Sequence, residues 1–92
     1  MYRQHIIIRV AKLPQIHNRI ALFRAERGMS RRALAEAVGV NPQTIGYLER
    51  GDYSPSLELG MKLAAVFDAP VELLFSFTPF ESVAPALRRA AE

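Results

Sequence analysis

Within the stretch PQTIGYLER, residues 42–50, three polar side chains stand out: Gln43, Thr44 and Tyr47. At about 100° of helix per residue they fall off the face that Ile45 and Leu48 would bury. Gln43 carries an amide that donates and accepts, Thr44 a hydroxyl with a methyl group, and Tyr47 a phenol on an aromatic ring. This is the chemistry of hydrogen-bonded recognition. The plain alternative is a solvated helix face, which any surface helix has. Arginines surround the stretch, at Arg19, Arg24, Arg27, Arg31, Arg32 and Arg50.

Catalytic patterns are missing from the sequence. It has no Walker-type loop, no G-x-S-x-G and no Cys/His pair, so no enzyme activity is expected. Its carboxylates are scattered among arginines at i±3 and i±4, with Glu49 near Arg50, and surface pairing accounts for them. His5 and His17 are the only histidines, and there is no cysteine and no HExxH spacing. Neither a metal site nor a cofactor is expected.

The charge is unevenly spread. Residues 1–50 hold nine Lys/Arg against three Asp/Glu, a net +6, whereas residues 51–92 hold three against six, a net −3. A basic half beside an acidic half suggests that one face meets a polyanion. Uneven charge is also common in small proteins. Ninety-two residues suit one small domain with a single core. The apolar run Ile6–Ile8 is interrupted by Arg9 and too short for a signal-peptide core, and no stretch has the length of a membrane span. The absence of cysteine is compatible with a reducing cytosol, and a cytoplasmic location is expected.

The elements that must position the polar face follow from periodicity and punctuation. Residues 1–14 read as an arm in which HIIIRV could form an edge strand. From Ile16 the pattern turns helical, with Ile16, Ile20 and Phe23 on one face and Gly28 suited to the left-handed position after the helix. Ser30 caps a helix through Val38 that turns Leu34, Ala35 and Val38 inward, and Gly39 ends it. Asn41 caps the next helix, with Pro42 in its first turn, Ile45 and Leu48 as anchors, and Arg50-Gly51 at its end. Ser56 caps a fourth helix with Leu57, Leu63, Ala64 and Phe67 in the core. Gly60, mid-helix, implies close packing there. A short fifth helix runs from Val71 to Phe75, and FSFTPF is extended or turn-like. The tail, 79–92, could end in a short helix. The expected architecture is all-α: five helices over residues 15–78, between an arm at 1–14 and that tail.

Residues 16–78 of this arrangement resemble the lambda-repressor-like (XRE-type) helix-turn-helix DNA-binding domains. The strongest portion is Arg31 to Leu48, where Ala35, Gly39, Val40, Ile45 and Leu48 fall where such motifs place them. Ala35 is small where two helices cross, Gly39 supplies a positive φ for the turn, and the rest pin the second helix to the first. The resemblance implies that helix 41–50 lies in the major groove of double-stranded DNA. Gln43, Thr44 and Tyr47 then meet base edges, Gln43 by pairing bidentately with adenine or bonding a guanine edge. Arg31, Arg32, Asn41, Arg50, Arg19 and Arg27 become phosphate contacts, with Asn41 a cap first, and Arg24 is a further candidate for the rim. A transcriptional regulator is implied, a repressor acting as a homodimer on a roughly palindromic operator. A protein-interaction module such as an antitoxin or adaptor, with DNA binding secondary or lost, is the alternative.

Two departures from the family pattern matter. Pro42 stands where related domains often carry a polar or basic residue, and it cannot bond a base, which shifts readout toward Gln43. Arg31-Arg32 stand where Gln and an acidic residue are usual. Two cations at a helix N-terminus oppose the helix dipole by about 0.3–1 kcal/mol each, and Ala33 cannot complete a capping box. A phosphate partner would explain them; so would simple tolerance of exposed arginine. Finally, Leu22, Leu73, Phe77, Phe80 and Ile6–Ile8 are apolar residues that five helices do not need. HIIIRV and LFSFT are expected to pair as strands, within one chain or across a two-fold axis, covering Leu22 or Leu73. The bland alternative is a loose arm and a frayed tail.

Overall fold

The structure, a computed structural model, describes residues 15–81. HIIIRV and the possible C-terminal helix lie outside the described residues. The element order is β1 (His17–Asn18), α1 (Ile20–Glu26), α2 (Arg31–Val38), α3 (Pro42–Arg50), α4 (Leu57–Val66), α5 (Val71–Leu74) and β2 (Phe75–Ser76). Among the described residues five helices form, as expected, with a two-stranded antiparallel sheet that pairs His17 with Ser76 and Asn18 with Phe75.

The helix boundaries are set by local hydrogen bonds. The Ser30 hydroxyl accepts from Ala33 N–H at 2.9 Å, Asn41 Oδ1 from Gln43 N–H at 2.8 Å, and Ser56 from Leu59 N–H at 3.1 Å. Each satisfies a donor that the first turn leaves free. Gly39 ends α2 at φ +78°, a conformation that costs a side-chain-bearing residue energy, and so turns the chain sharply into α3.

The core is one cluster beneath all five helices. Ile20 of α1, Leu34, Ala35 and Val38 of α2, Ile45 and Leu48 of α3, Leu63 and Ala64 of α4, Phe67, and Leu74 of α5 are buried. Ala35 is fully buried between helices, and Val40 packs against the cluster. Phe23 meets Phe67 edge to face at 5.6 Å. Gly60 is buried, and a methyl group there would lie 3.7 Å from the Phe75 ring of β2, an ordinary contact distance, so the glycine does not mark an unusually close helix crossing.

Three further expectations are corrected. The first helix begins at Ile20, and Ile16 precedes it. Backbone pairing claims the preceding segment instead: Arg19 N–H donates to Leu74 C=O at 2.9 Å, and Asn18 spans from Ile20 N–H to Leu48 C=O. The fifth helix stops at Leu74, because Phe75 turns extended to join β2. Leu57 is not core but 76% exposed. It points nearly where Ala64 does, yet it opens α4, about 9 Å along the axis before Leu63, ahead of the packed part of the helix. Strand pairing of the LFSFT segment does occur at Phe75–Ser76, with His17–Asn18 as its partner. Leu22, Leu73 and Phe77 remain exposed, while Phe80 is half-buried under Arg19.

Candidate nucleic-acid interface

The polar face is built from α3 upward. Ile45 and Leu48 are buried against α2 and the rest of the core, which fixes the rotation of the helix about its axis. That rotation leaves Gln43 and Tyr47 exposed and Thr44 half-buried. A shallow hollow on this side is lined by Arg31, Pro42, Gln43, Gly46, Tyr47 and Arg50. Four of the site residues singled out in the sequence, from two helices, therefore border one concavity. Gly46 keeps its floor low: a methyl group there would come 3.4 Å from an Arg50 Nη. Arg50 lies over the Tyr47 ring at 5.1 Å and pairs through Nε with Asp52 at 3.1 Å. Tyr47 in turn sits 6.5 Å from the ring of Tyr53.

Behind the hollow, one carboxylate holds three helices together. Glu49, at 5% side-chain exposure, receives Arg24 Nε at 2.8 Å from α1 and Arg31 Nε at 2.8 Å from α2. Arg24 also donates to the Met29 carbonyl at 2.9 Å. Burial alone would raise the Glu49 pKa. The hydrogen bonds and charges of Arg24 and Arg31 outweigh that and hold it below the ordinary carboxylate value. Glu49 is thus not an ordinary surface pair beside Arg50; its partners are 25 and 18 residues away.

The arginines divide accordingly. Arg31 has an internal anion, so its place at the start of α2 needs no external phosphate to be stable. Glu49 engages its Nε, and the rest of the side chain, over half exposed, borders the hollow. Arg32 is exposed, in a loose pair with Glu36 at 3.5 Å. Arg24 is engaged within the fold. Arg27 donates to the Val66 and Phe67 carbonyls at the C-terminal end of α4, where a cation complements the helix dipole. Arg19 stacks over Phe80 at 4.1 Å. Asn41 uses its side-chain oxygen as the α3 cap. The sequence did not single out Tyr53, whose ring neighbours that of Tyr47 from a turn-rich loop, or Gly46, which lines the hollow and whose lack of a side chain reads as a helix weakness. Among the described residues, no group of acidic or histidine side chains could hold a metal ion.

Two helices joined by a tight glycine turn, the second presenting a polar face beside basic residues, form the geometry that a sequence model of the helix-turn-helix family describes. That model matches residues 20–74. The chain belongs to the helix-turn-helix family. Among its relatives, an uncharacterized HTH-type transcriptional regulator of Archaeoglobus fulgidus is 50% identical over 62 residues, covering 67% of this chain and 89% of that protein. The uncharacterized HTH-type transcriptional regulator YgzD of Bacillus subtilis is 41% identical over 58 residues, covering 63% and 88%. The crystal structure of a candidate DNA-binding protein from Bacteroides fragilis superposes with a TM-score of 0.62 at 29% identity, over 67% of this chain and all of that one.

Proposed function

We propose that this helix-turn-helix protein is a sequence-specific regulator of transcription, a repressor that reads double-stranded DNA through the major groove. The observation that carries this reading is the hollow on α3, where Gln43 and Tyr47 stand between Arg31 and Arg50. Gln43 at the start of the helix is the base reader, with Thr44 and Tyr47 beside it. Arg31, Arg32 and Arg50 contact phosphates and set the register of the helix in the groove. The relatives described as HTH-type transcriptional regulators support the regulatory role. The protein acts as a homodimer, whose two recognition helices meet a roughly palindromic operator about 34 Å apart, one turn of DNA.

Selection from random duplex DNA, followed by titration of the selected duplex across salt, tests the proposal. A dimer that neutralises about six to ten phosphates loses about 10³–10⁵ in affinity between about 50 and 200 mM salt. Recovery of no common sequence, or a flat salt response, would reject it.

A further inference from the structure

A carboxylate stands beside the polar face of α3. Asp52, two residues past the helix, accepts a hydrogen bond from Arg50 Nε at 3.1 Å, and both side chains are over half exposed. A surface pair of this kind contributes little to stability, and an acid beside a face that meets DNA repels phosphate. Yet the helix end fixes the acid there. Gly51 turns the chain at φ +77°, and Asp52 N–H donates to Tyr47 C=O at 2.9 Å. Arg50 is held from other sides as well. Its side chain runs back over the preceding turn, as long helical side chains do. A methyl group added to Gly46 would stand 3.4 Å from Arg50 Nη1, so the missing side chain lets the guanidinium lie close against the helix. The guanidinium also covers the Tyr47 ring at 5.1 Å, and the Tyr53 ring steadies that ring from 6.5 Å away. Only Nε is bonded: among the described residues, neither Nη of Arg50 donates a hydrogen bond.

We infer that Asp52 is a positioning residue for DNA binding: it holds Arg50 in one orientation through Nε and leaves both Nη groups free to grip a phosphate. The inference rests on the functional reading above and adds the residue on which the Arg50 contact depends. Three constraints meet at one guanidinium, with the Asp52 carboxylate at its edge, the Tyr47 ring against its face and the Gly46 backbone beside it. Ordering a long side chain only at the moment of binding costs about two- to tenfold in affinity. An arginine ordered beforehand avoids that loss. The two free Nη groups match two oxygens of one phosphate, the geometry in which a guanidinium binds most strongly. While Asp52 is paired with Arg50, its own repulsion of phosphate is largely offset. An acidic residue thereby raises affinity for a polyanion, acting only through its neighbour.

A cycle of affinities for the selected duplex tests the inference, with the full chain as wild type, Asp52→Ala, Arg50→Ala and the double variant. Asp52→Ala is expected to weaken binding about two- to tenfold, by similar factors on duplexes that differ at single base pairs, because Arg50 loses its orientation. In the Arg50→Ala background the same change is expected to leave affinity unchanged or raise it, since only repulsion remains to be removed. A loss in both backgrounds, as from a merely structural role, overturns the inference. So does a gain or no change when Asp52 is removed from the wild type. A loss confined to one base pair overturns it too, by making Asp52 a reader of cytosine in its own right. Nuclear magnetic resonance of the Arg50 Nε–H group without DNA gives a second readout. The group should be restrained in wild type and mobile in Asp52→Ala, and equal mobility in the two overturns the inference. Far-ultraviolet circular dichroism checks that each variant keeps its helices. A wild type that selects no DNA rejects the functional reading and, with it, any role of Asp52 in binding. A duplex that binds while the cycle fails rejects this inference alone.

Discussion

α3 and α4 are neighbouring helices of similar length, each with one face in the same core, yet their outer faces are opposite in kind. The outer face of α3 is polar and bordered by arginines from two helices, with Gln43, Tyr47, Arg31 and Arg50 around one hollow. That of α4 is an apolar stripe edged by one exposed ion pair. Carboxylate–cation pairing also differs between the two. Glu49 is enclosed, shared by two arginines and joined to helices far away in sequence, whereas Glu58 and Lys62 are exposed neighbours on one helix. Charge that is buried and networked fixes geometry; charge at the surface is free to choose partners. The first arrangement fixes the position of α3 against α1 and α2; the second leaves the outer face of α4 to solvent.

The largest effect that would break this contrast comes from the buried network. Glu49→Gln keeps the shape and removes the charge that Arg24 and Arg31 share, and should cost about 2–3 kcal/mol in urea unfolding. That is below the cost of losing one partner of a fully buried pair, because Arg31 remains over half exposed. A loss near zero would mean that the network does not hold α3 in place. The same carboxylate gives a pH signature. Its pKa is lowered in the folded chain, so the unfolded chain takes up its proton first as the pH falls. The stabilisation is complete above the unfolded carboxyl value of about 4.3 and disappears as the pH drops through the lower folded value. Below about pH 4.3, wild type should lose stability more steeply than Glu49→Gln; parallel curves would contradict the assignment.

A smaller effect sharpens the division among the arginines. Arg31→Ala should weaken binding to every DNA duplex about equally and reduce the salt slope by about 1, as expected for a phosphate contact. A loss confined to one base pair would make it a reader instead. The smallest effect belongs to the exposed pair on α4: Glu58→Gln should shift monomer stability by no more than about 0.5 kcal/mol. A larger loss would show that this exposed pair helps to hold the fold.

How far the sequence reveals this arrangement depends on the distance over which each interaction acts. The caps at Ser30, Asn41 and Ser56 and the turn at Gly39 were legible because each is completed within a few residues of chain. The inward sets on α2 and α3 were legible because burial repeats with the helix period. The link from Glu49 to Arg24 and Arg31 was not, since nothing local marks a carboxylate whose partners lie on two other helices. Nor was the β1–β2 pairing, which joins residues more than fifty apart and moves the start of the first helix from Ile16 to Ile20. Leu57 shows a third limit: periodicity gives direction around a helix but not where along it the packing begins. The polar face of α3 was legible as residues; its meeting with Arg31 in one hollow required the fold.

The account's central claim is that the α3 face reads base edges, and one matrix of affinities tests it most directly. Wild type and Gln43→Ala are titrated against the selected duplex and against a set of duplexes, each with one base pair changed. Gln43→Ala should bind the selected duplex about 1–3 kcal/mol more weakly, lose discrimination at one base pair per half-site, and keep the wild-type pattern at every other position. If Gln43→Ala weakens all duplexes alike, or leaves every preference unchanged, α3 does not read DNA through this residue and the account is wrong.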